Sequence, residues 1–319
     1  MTTRVAGVPV AAISLPPGAN LPWQNYGGDF GANAWQPEGG LASGDRPAQL
    51  GPLLELVADN GARVVRWFLL CDGRAGVRLD SDGRARGLDG FVFRDVDAAL
   101  RLLDQHRLQA MFVLTDFNWF KRPQVVNGVR MFGKRSLVKK ADRRRELLDR
   151  VVTPLLERFA DAPQIHSWDV FNEPEWAVLG LGTVDPRKAL LDTEMRGYLG
   201  ELVGRVRAAT RHPVTVGLAS PRGLGLVRTL GLDFYQWHWY DSLERTTPLA
   251  RPVAQYRVDR PVLLGEFPTR GSARAPGEIR TVSTTAGYAA AWPWSVLATD
   301  AFTDRLACVE AVASQARRA

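Results

Sequence analysis

Eight short runs of β-branched and aromatic residues recur along the chain, separated by stretches of helical period and by no low-complexity linker. Strands are expected at Gly18–Trp23, Arg63–Leu70, Gln109–Thr115, His166–Phe171, Pro213–Ala219, Phe234–His238, Pro261–Gly265 and Ala289–Trp294. Between them, Phe93–Gln105 places Val96, Ala99, Leu100 and Leu103 on one face, and Arg143–Ala160, Glu194–Ala209 and Ala301–Ala316 repeat that amphipathic pattern. Asn60-Gly61 reads as a helix stop before the second strand. Strand–helix alternation in one undivided chain predicts the α/β class and a single (β/α)8 TIM barrel, one catalytic domain over residues 1–319. A doubly wound open sheet is the rival, but it calls for a glycine-rich phosphate loop, and only Gly223 and Gly225 follow a strand in that way.

Composition removes several function classes. Of 41 basic residues, five are Lys and 36 are Arg, scattered through helices and loops with a modest cluster at Lys134–Arg145. The net charge of +7 therefore reads as general arginine usage rather than a nucleic-acid stripe, and no nucleic-acid partner is expected. No run approaches the ~20 apolar residues of a membrane span, so no membrane partner is expected either. The first twenty residues carry one Arg and a weakly apolar run broken by Pro9. That lacks the form of a secretory signal, and with Met1 as the natural start it points to the cytoplasm. Cys71 and Cys308 are far apart and read as free thiols, and no paired Cys or His spacing suggests a metal. No cofactor is expected, and the oligomeric state is left open.

In a barrel of this kind the working groups sit where strands end. Arg66 lies within the second strand; Asp116, Asn118 and Trp119 follow the third; Asn172, Glu173 and Trp176 follow the fourth. His238 and Tyr240 close the sixth, Glu266 the seventh and Trp294 the eighth. Cleavage of a glycosidic bond with retention needs two carboxyl groups about 5–5.5 Å apart. The fourth and seventh strands lie roughly opposite across a small barrel, so Glu173 and Glu266 can face each other over one sugar ring. A lone Glu at a strand end is more often a surface residue, and each gains weight from its flanking residues. Asp169 reads as structural by strand alternation, as do Trp67, Trp168, Trp237 and Trp292. Trp23 and Trp35 flank an aromatic and amide-rich first loop that suits a cleft wall.

Trp168-Asp-Val-Phe-Asn-Glu-Pro174 resembles the W-D-x-x-N-E-P segment of clan A glycoside hydrolases, particularly family 5, the cellulase and mannanase family. Leu264-Gly-Glu-Phe267 resembles that family's G-E-F, and His238-Trp-Tyr240 its H-x-Y. Arg66 and Trp294 match its second-strand arginine and eighth-strand tryptophan, and the resemblance spans about Gly18–Thr299. It implies a retaining β-glycoside hydrolase on gluco- or manno-configured oligo- or polysaccharides. Glu266 would be the nucleophile, ionised by Arg66 and Tyr240, and Glu173 the acid/base, its pKa raised by the negative Glu266. Asn172 would meet the sugar 2-hydroxyl, His238 would contact substrate or support Glu173, and Trp294 would floor the −1 subsite. By position alone, just past strand ends, Trp119, Trp176 and Trp239 are candidates to stack on sugars in outer subsites. Many members carry a His after the third strand. Here Asp116 or Asn118 fills that place, or the subsite is built differently, which leaves the sugar open. The same site could pass the glycosyl unit to a sugar as a transglycosylase. A non-catalytic carbohydrate-binding barrel is the alternative from another class, and its usual mark is loss of one carboxylate.

Overall fold

The computed structural model describes residues 13–244 and 246–317. The stretch behind the compartment expectation lies, up to residue 12, outside the described residues. No helix among the described residues is long and apolar enough to cross a membrane.

Eight parallel strands follow one another in chain order around the barrel: β1 (Gly18–Asn20), β2 (Val64–Phe68), β3 (Gln109–Val113), β4 (Ile165–Asn172), β5 (Val214–Leu218), β6 (Tyr235–His238), β7 (Val262–Pro268) and β8 (Ala290–Trp294). The seam between β8 and β1 is bridged outside the ladder: Val296 N–H donates to the Asn20 carbonyl at 2.9 Å, and the Asn20 amide to the Pro293 carbonyl at 3.2 Å. The expected TIM barrel is the fold observed.

The strands are buried on both faces because helices cover the outside and side chains fill the inside. Alternation along β2 sorts the interior into layers. Val64 joins an apolar plug with Met111, Phe234, Leu263 and Trp292. Arg66, two residues on, enters a polar layer, and Phe68 joins Val113, Tyr240 and Trp294 above it. Trp67, Trp168, Trp237 and Trp292 are fully buried, as their strand positions predicted. Cys71 and Cys308 are free and buried.

The outer layer is less regular than the ideal. Helices α1 (Arg46–Asp59), α2 (Val92–Gln105), α3 (residues 141–158, with a π turn at Leu148–Val152) and α4 (Asp192–Ala209) are followed by a single-turn α5 (Leu224–Val227). Among the described residues between β6 and β7 only a 3-10 turn, Val253–Tyr256, stands where a helix would, and α6 (Pro276–Ala286) and α7 (Arg305–Ala316) follow. Two of these have weak sequence signals for physical reasons. Pro52 sits inside α1. In α6, Thr281, Thr284 and Thr285 bond back to carbonyls four residues earlier, a competition that lowers the propensity of such residues. The long loops after β2 and β3 each fold into a hairpin, Val77–Leu79 with Ala85–Leu88 and Gln124–Val126 with Val129–Met131.

Candidate active site

The polar layer is organised by Arg66, which is fully buried. Its Nε and Nη2 donate to Asp169 Oδ2 at 3.0 and 2.8 Å, Nη2 also to Asn172 Oδ1 at 2.8 Å, and Nη1 to Asn20 Oδ1 at 3.2 Å and to Glu266 Oε1. Burial works against the guanidinium charge, yet Asp169 and Glu266 outweigh it and hold the pKa above its ordinary value. Gln236 donates to Asp169 at 3.0 Å from β6. A β-carbon at Gly217 would come within 2.7 Å of Asp169 Oδ2 and 2.9 Å of Arg66 Nη2, so only glycine admits this pair beside β5.

Glu173 follows β4 in the left-handed region, φ 52° and ψ 56°. For a non-glycine residue that conformation costs about 1–2 kcal/mol, and here it turns the carboxyl into the barrel mouth. Its Oε1 lies 2.8 Å from His238 Nδ1, and its Oε2 accepts from Trp176 Nε1 at 2.9 Å. Glu266 Oε2 accepts from the Tyr240 hydroxyl at 2.9 Å, and its Oε1 lies 3.5 Å from His238 Nδ1. One oxygen of each carboxyl and one nitrogen of His238 lie within 4.8 Å of one another. So close an approach suits double displacement, which uses carboxyl groups about 5–5.5 Å apart, rather than the ~6.5–9.5 Å spacing that leaves room for an attacking water.

The other expected residues divide. Asp116 sits beside Asn172 and accepts from its amide at 2.8 Å, so the Asn172 amide is fixed with oxygen to Arg66 and nitrogen to Asp116. Asp116, Asn118, Asn172, Tyr240 and Trp294 line one pocket of about 210 Å³ with both glutamates. Trp119 does not join them: it is fully buried. Asp116 caps a 3-10 turn over Phe117–Phe120, and residues two apart in such a turn point about 120° from each other, so Phe117 takes the pocket wall and Trp119 the core. Trp176 also lies outside the pocket lining, with its indole N–H on Glu173. Sequence reasoning missed Asn20, Gln236 and Asp300. Asp300 accepts from Trp294 Nε1 at 2.8 Å. Asn20 ends β1 and Gln236 stands two residues before His238, so strand alternation was the available signal. Asp300 had none.

No family model matches the chain. The mannan endo-1,4-beta-mannosidase of Mytilus edulis is 25% identical over 317 residues, covering 87% of this chain and 82% of that protein. The chain is a clan A glycoside hydrolase, close to family 5. Solved structures share the hydrolase's fold: an endo-1,4-beta-mannanase from Eisenia fetida with a TM-score of 0.73 at 21% identity, covering 94% of this chain and 90% of its own, and a beta-1,4-D-mannanase from Cryptopygus antarcticus with 0.76 at 18%, covering 94% and 88%.

Burial sets the protonation of the hydrolase's mouth. It lifts Glu173 to about 7, opposed by the Trp176 hydrogen bond and Arg66 and assisted by Asp169, so desolvation rather than Glu266's charge is the main cause. Glu266 is also raised by burial, with His238 and Arg66 holding it back and Glu173 pushing it up. Burial keeps His238 neutral by lowering it to about 4, and keeps Tyr240 a hydroxyl. Among the described residues, Glu173, His238 and Glu266 are spaced to hold a metal ion. The Arg66 charge in contact with Glu266 disfavours a cation there.

Three buried carboxyls carry a stability consequence. Asp116 is lifted to about 7 and Glu175 to about 8, both chiefly by burial, alongside Glu173 at about 7. Their unfolded values are lower, so above pH 6.5 the native state holds more protons and stability falls as pH rises. The lowered histidines act mainly below that window. Urea unfolding should show a loss of roughly 2–3 kcal/mol between about pH 6.5 and 8. A flat or rising profile there would contradict burial of these groups.

Proposed function

We propose that this chain is an endo-acting β-1,4-mannanase working by double displacement, with Glu266 as nucleophile and Glu173 as acid/base. The observation that carries this reading is the pair of carboxyl oxygens within 4.8 Å of each other in the mouth of the barrel. Glu266 Oε attacks the anomeric carbon while Glu173 gives its proton to the departing glycosidic oxygen. That yields a glycosyl–Glu266 ester and an ionised Glu173. The ester removes the negative charge beside Glu173, which then takes a proton from water as the water attacks the anomeric carbon and the ester bond breaks to release the Glu266 carboxylate. Asn172, pinned between Arg66 and Asp116, keeps an amide hydrogen for the sugar 2-hydroxyl. Trp294, fixed by Asp300, offers its ring as the floor of the subsite.

Manno-configuration and internal cleavage are supported by the Mytilus relative, which is 25% identical and whose name gives a mannan endo-1,4 activity. A product-resolved screen of β-1,4-linked manno-, gluco- and xylo-oligosaccharides tests it. Mannohexaose should be cut at interior bonds with the β-anomer released first. Faster cleavage of the gluco or xylo series, an α-anomer as first product, or release of mannose alone from one end would each overturn part of the assignment.

A further inference from the structure

Trp176, expected to stack on a sugar in an outer subsite, does not line the pocket that holds both glutamates. Its indole lies outside the pocket, tilted against Phe117 at 6.5 Å between ring centroids. Its one polar atom is spent on Glu173 Oε2 at 2.9 Å. We propose that Trp176 is a positioning residue for proton transfer: it holds Glu173 Oε2 as an acceptor, so that the acid proton resides on Oε1, the oxygen beside His238. The inference rests on Glu173 being the acid/base.

The chemistry follows from what an indole can do. Its N–H donates and never accepts, so whichever oxygen it meets is favoured as the carbonyl of the acid and as a bonded oxygen of the carboxylate. With Oε2 taken, the hydroxyl of the neutral acid falls on Oε1, 2.8 Å from His238 Nδ1. His238 is fully buried and neutral, so in the tautomer that carries its proton on Nε2, Nδ1 receives that hydrogen bond without taking the proton. Nδ1 also lies 3.5 Å from Glu266 Oε1, so Oε1 is the oxygen on the side of the second carboxyl, where the scissile bond must lie for both to act. The orientation follows from the fold, because the left-handed turn at Glu173 and the 3-10 turn Pro174–Ala177 bring a side chain three residues on back over the carboxyl.

The bond also sets how strong the acid is. Trp176 stabilises the ionised form and works against the burial that lifts Glu173 to about 7. The other groups around it come from several walls: His238 and Tyr240 around β6, Glu266 on β7, Arg66 on β2, Asp116 after β3, and Asp169 and Glu175 in and after β4. None of them donates to Oε2 among the described hydrogen bonds. Removing the indole N–H should therefore raise the pKa at which Glu173 loses its proton.

The test compares substrates whose leaving groups do and do not need an acid. Trp176→Phe should lose about 10-fold or more in kcat/KM on mannohexaose, yet within ~3-fold on a 2,4-dinitrophenyl β-mannoside, whose leaving group departs unprotonated. The alkaline limb of kcat/KM on mannohexaose should move up by about one pH unit. Partial misfolding scales both substrates alike and leaves the ratio unchanged. Trp176→β-(3-benzothienyl)alanine keeps the ring shape and removes only the N–H, so it should reproduce both effects should the Phe variant fail to fold. Equal losses on the two substrates, or an unmoved alkaline limb, would overturn the inference. Glu173→Ala run in parallel separates the two claims. If Glu173→Ala shows the leaving-group dependence and Trp176→Phe does not, only the role of Trp176 fails. If Glu173→Ala lacks it too, the assignment of the acid/base fails.

Discussion

Glu266→Ala should leave a folded barrel whose turnover of aryl β-mannosides falls by at least about 10⁴-fold, because the carboxylate assigned to form the covalent intermediate is gone. Glu266 is held from two sides, by the Arg66 guanidinium and the Tyr240 hydroxyl at 2.9 Å, an arrangement that aims one carboxylate rather than sharing the task. Azide or formate should restore part of the lost turnover by entering the space left by the side chain. Because that route involves one displacement instead of two, the azide product should be the α-mannosyl azide. The fold should tolerate the change, since Arg66 retains Asp169 as its counter-charge at 2.8 Å and burial already makes the Glu266 charge costly. Thermal melting, initial rates and the anomeric form of the azide product together check this. Undiminished turnover in a cleanly folded variant would remove Glu266 from the mechanism.

Arg66→Met should give the largest loss of stability of any single change in the polar layer. The guanidinium is the buried counter-charge for both Asp169 and Glu266, with all three side chains no more than 6% exposed. Taking one member from a buried ion network leaves uncompensated charge and costs about 3–5 kcal/mol, which for a domain of this size corresponds to a Tm fall of roughly 4–8 °C. The loss should be smaller at low pH, where the stranded carboxyls bind protons in the native state, and larger above neutrality. Arg66→Lys should recover little, since one ammonium cannot reproduce a fork that meets Asp169, Asn172, Asn20 and Glu266 together. Differential scanning calorimetry at about pH 5 and 8 distinguishes the cases. A Tm within about a degree of the parent protein at both would contradict the network's role.

Much of this was legible in the order of residues, for a simple reason. Strand period is local, so the runs around Arg66, Asn172 and Glu266 reveal both their elements and the ends at which polar groups gather. The N-E-P, H-x-Y and G-E-F segments then marked two carboxylates and their companions. Local pattern could not say which way a side chain turns once a strand has ended. Trp119 and Trp176 have the same sequence context, three positions past an acidic residue at the barrel mouth (Asp116 and Glu173), yet one is in the core and the other donates to Glu173. Two short 3-10 turns with different caps made that choice. The cause of the Glu173 shift was likewise invisible, because desolvation depends on how completely eight strands and their loops enclose a group. The sequence by itself determined the barrel, its polar mouth and the identity of the paired carboxyls. Only the tertiary structure decided their spacing, the Arg66 hub with Asn20, Asp169, Gln236 and Glu266, and the His238 partner of Glu173, since these are contacts between residues up to 200 positions apart.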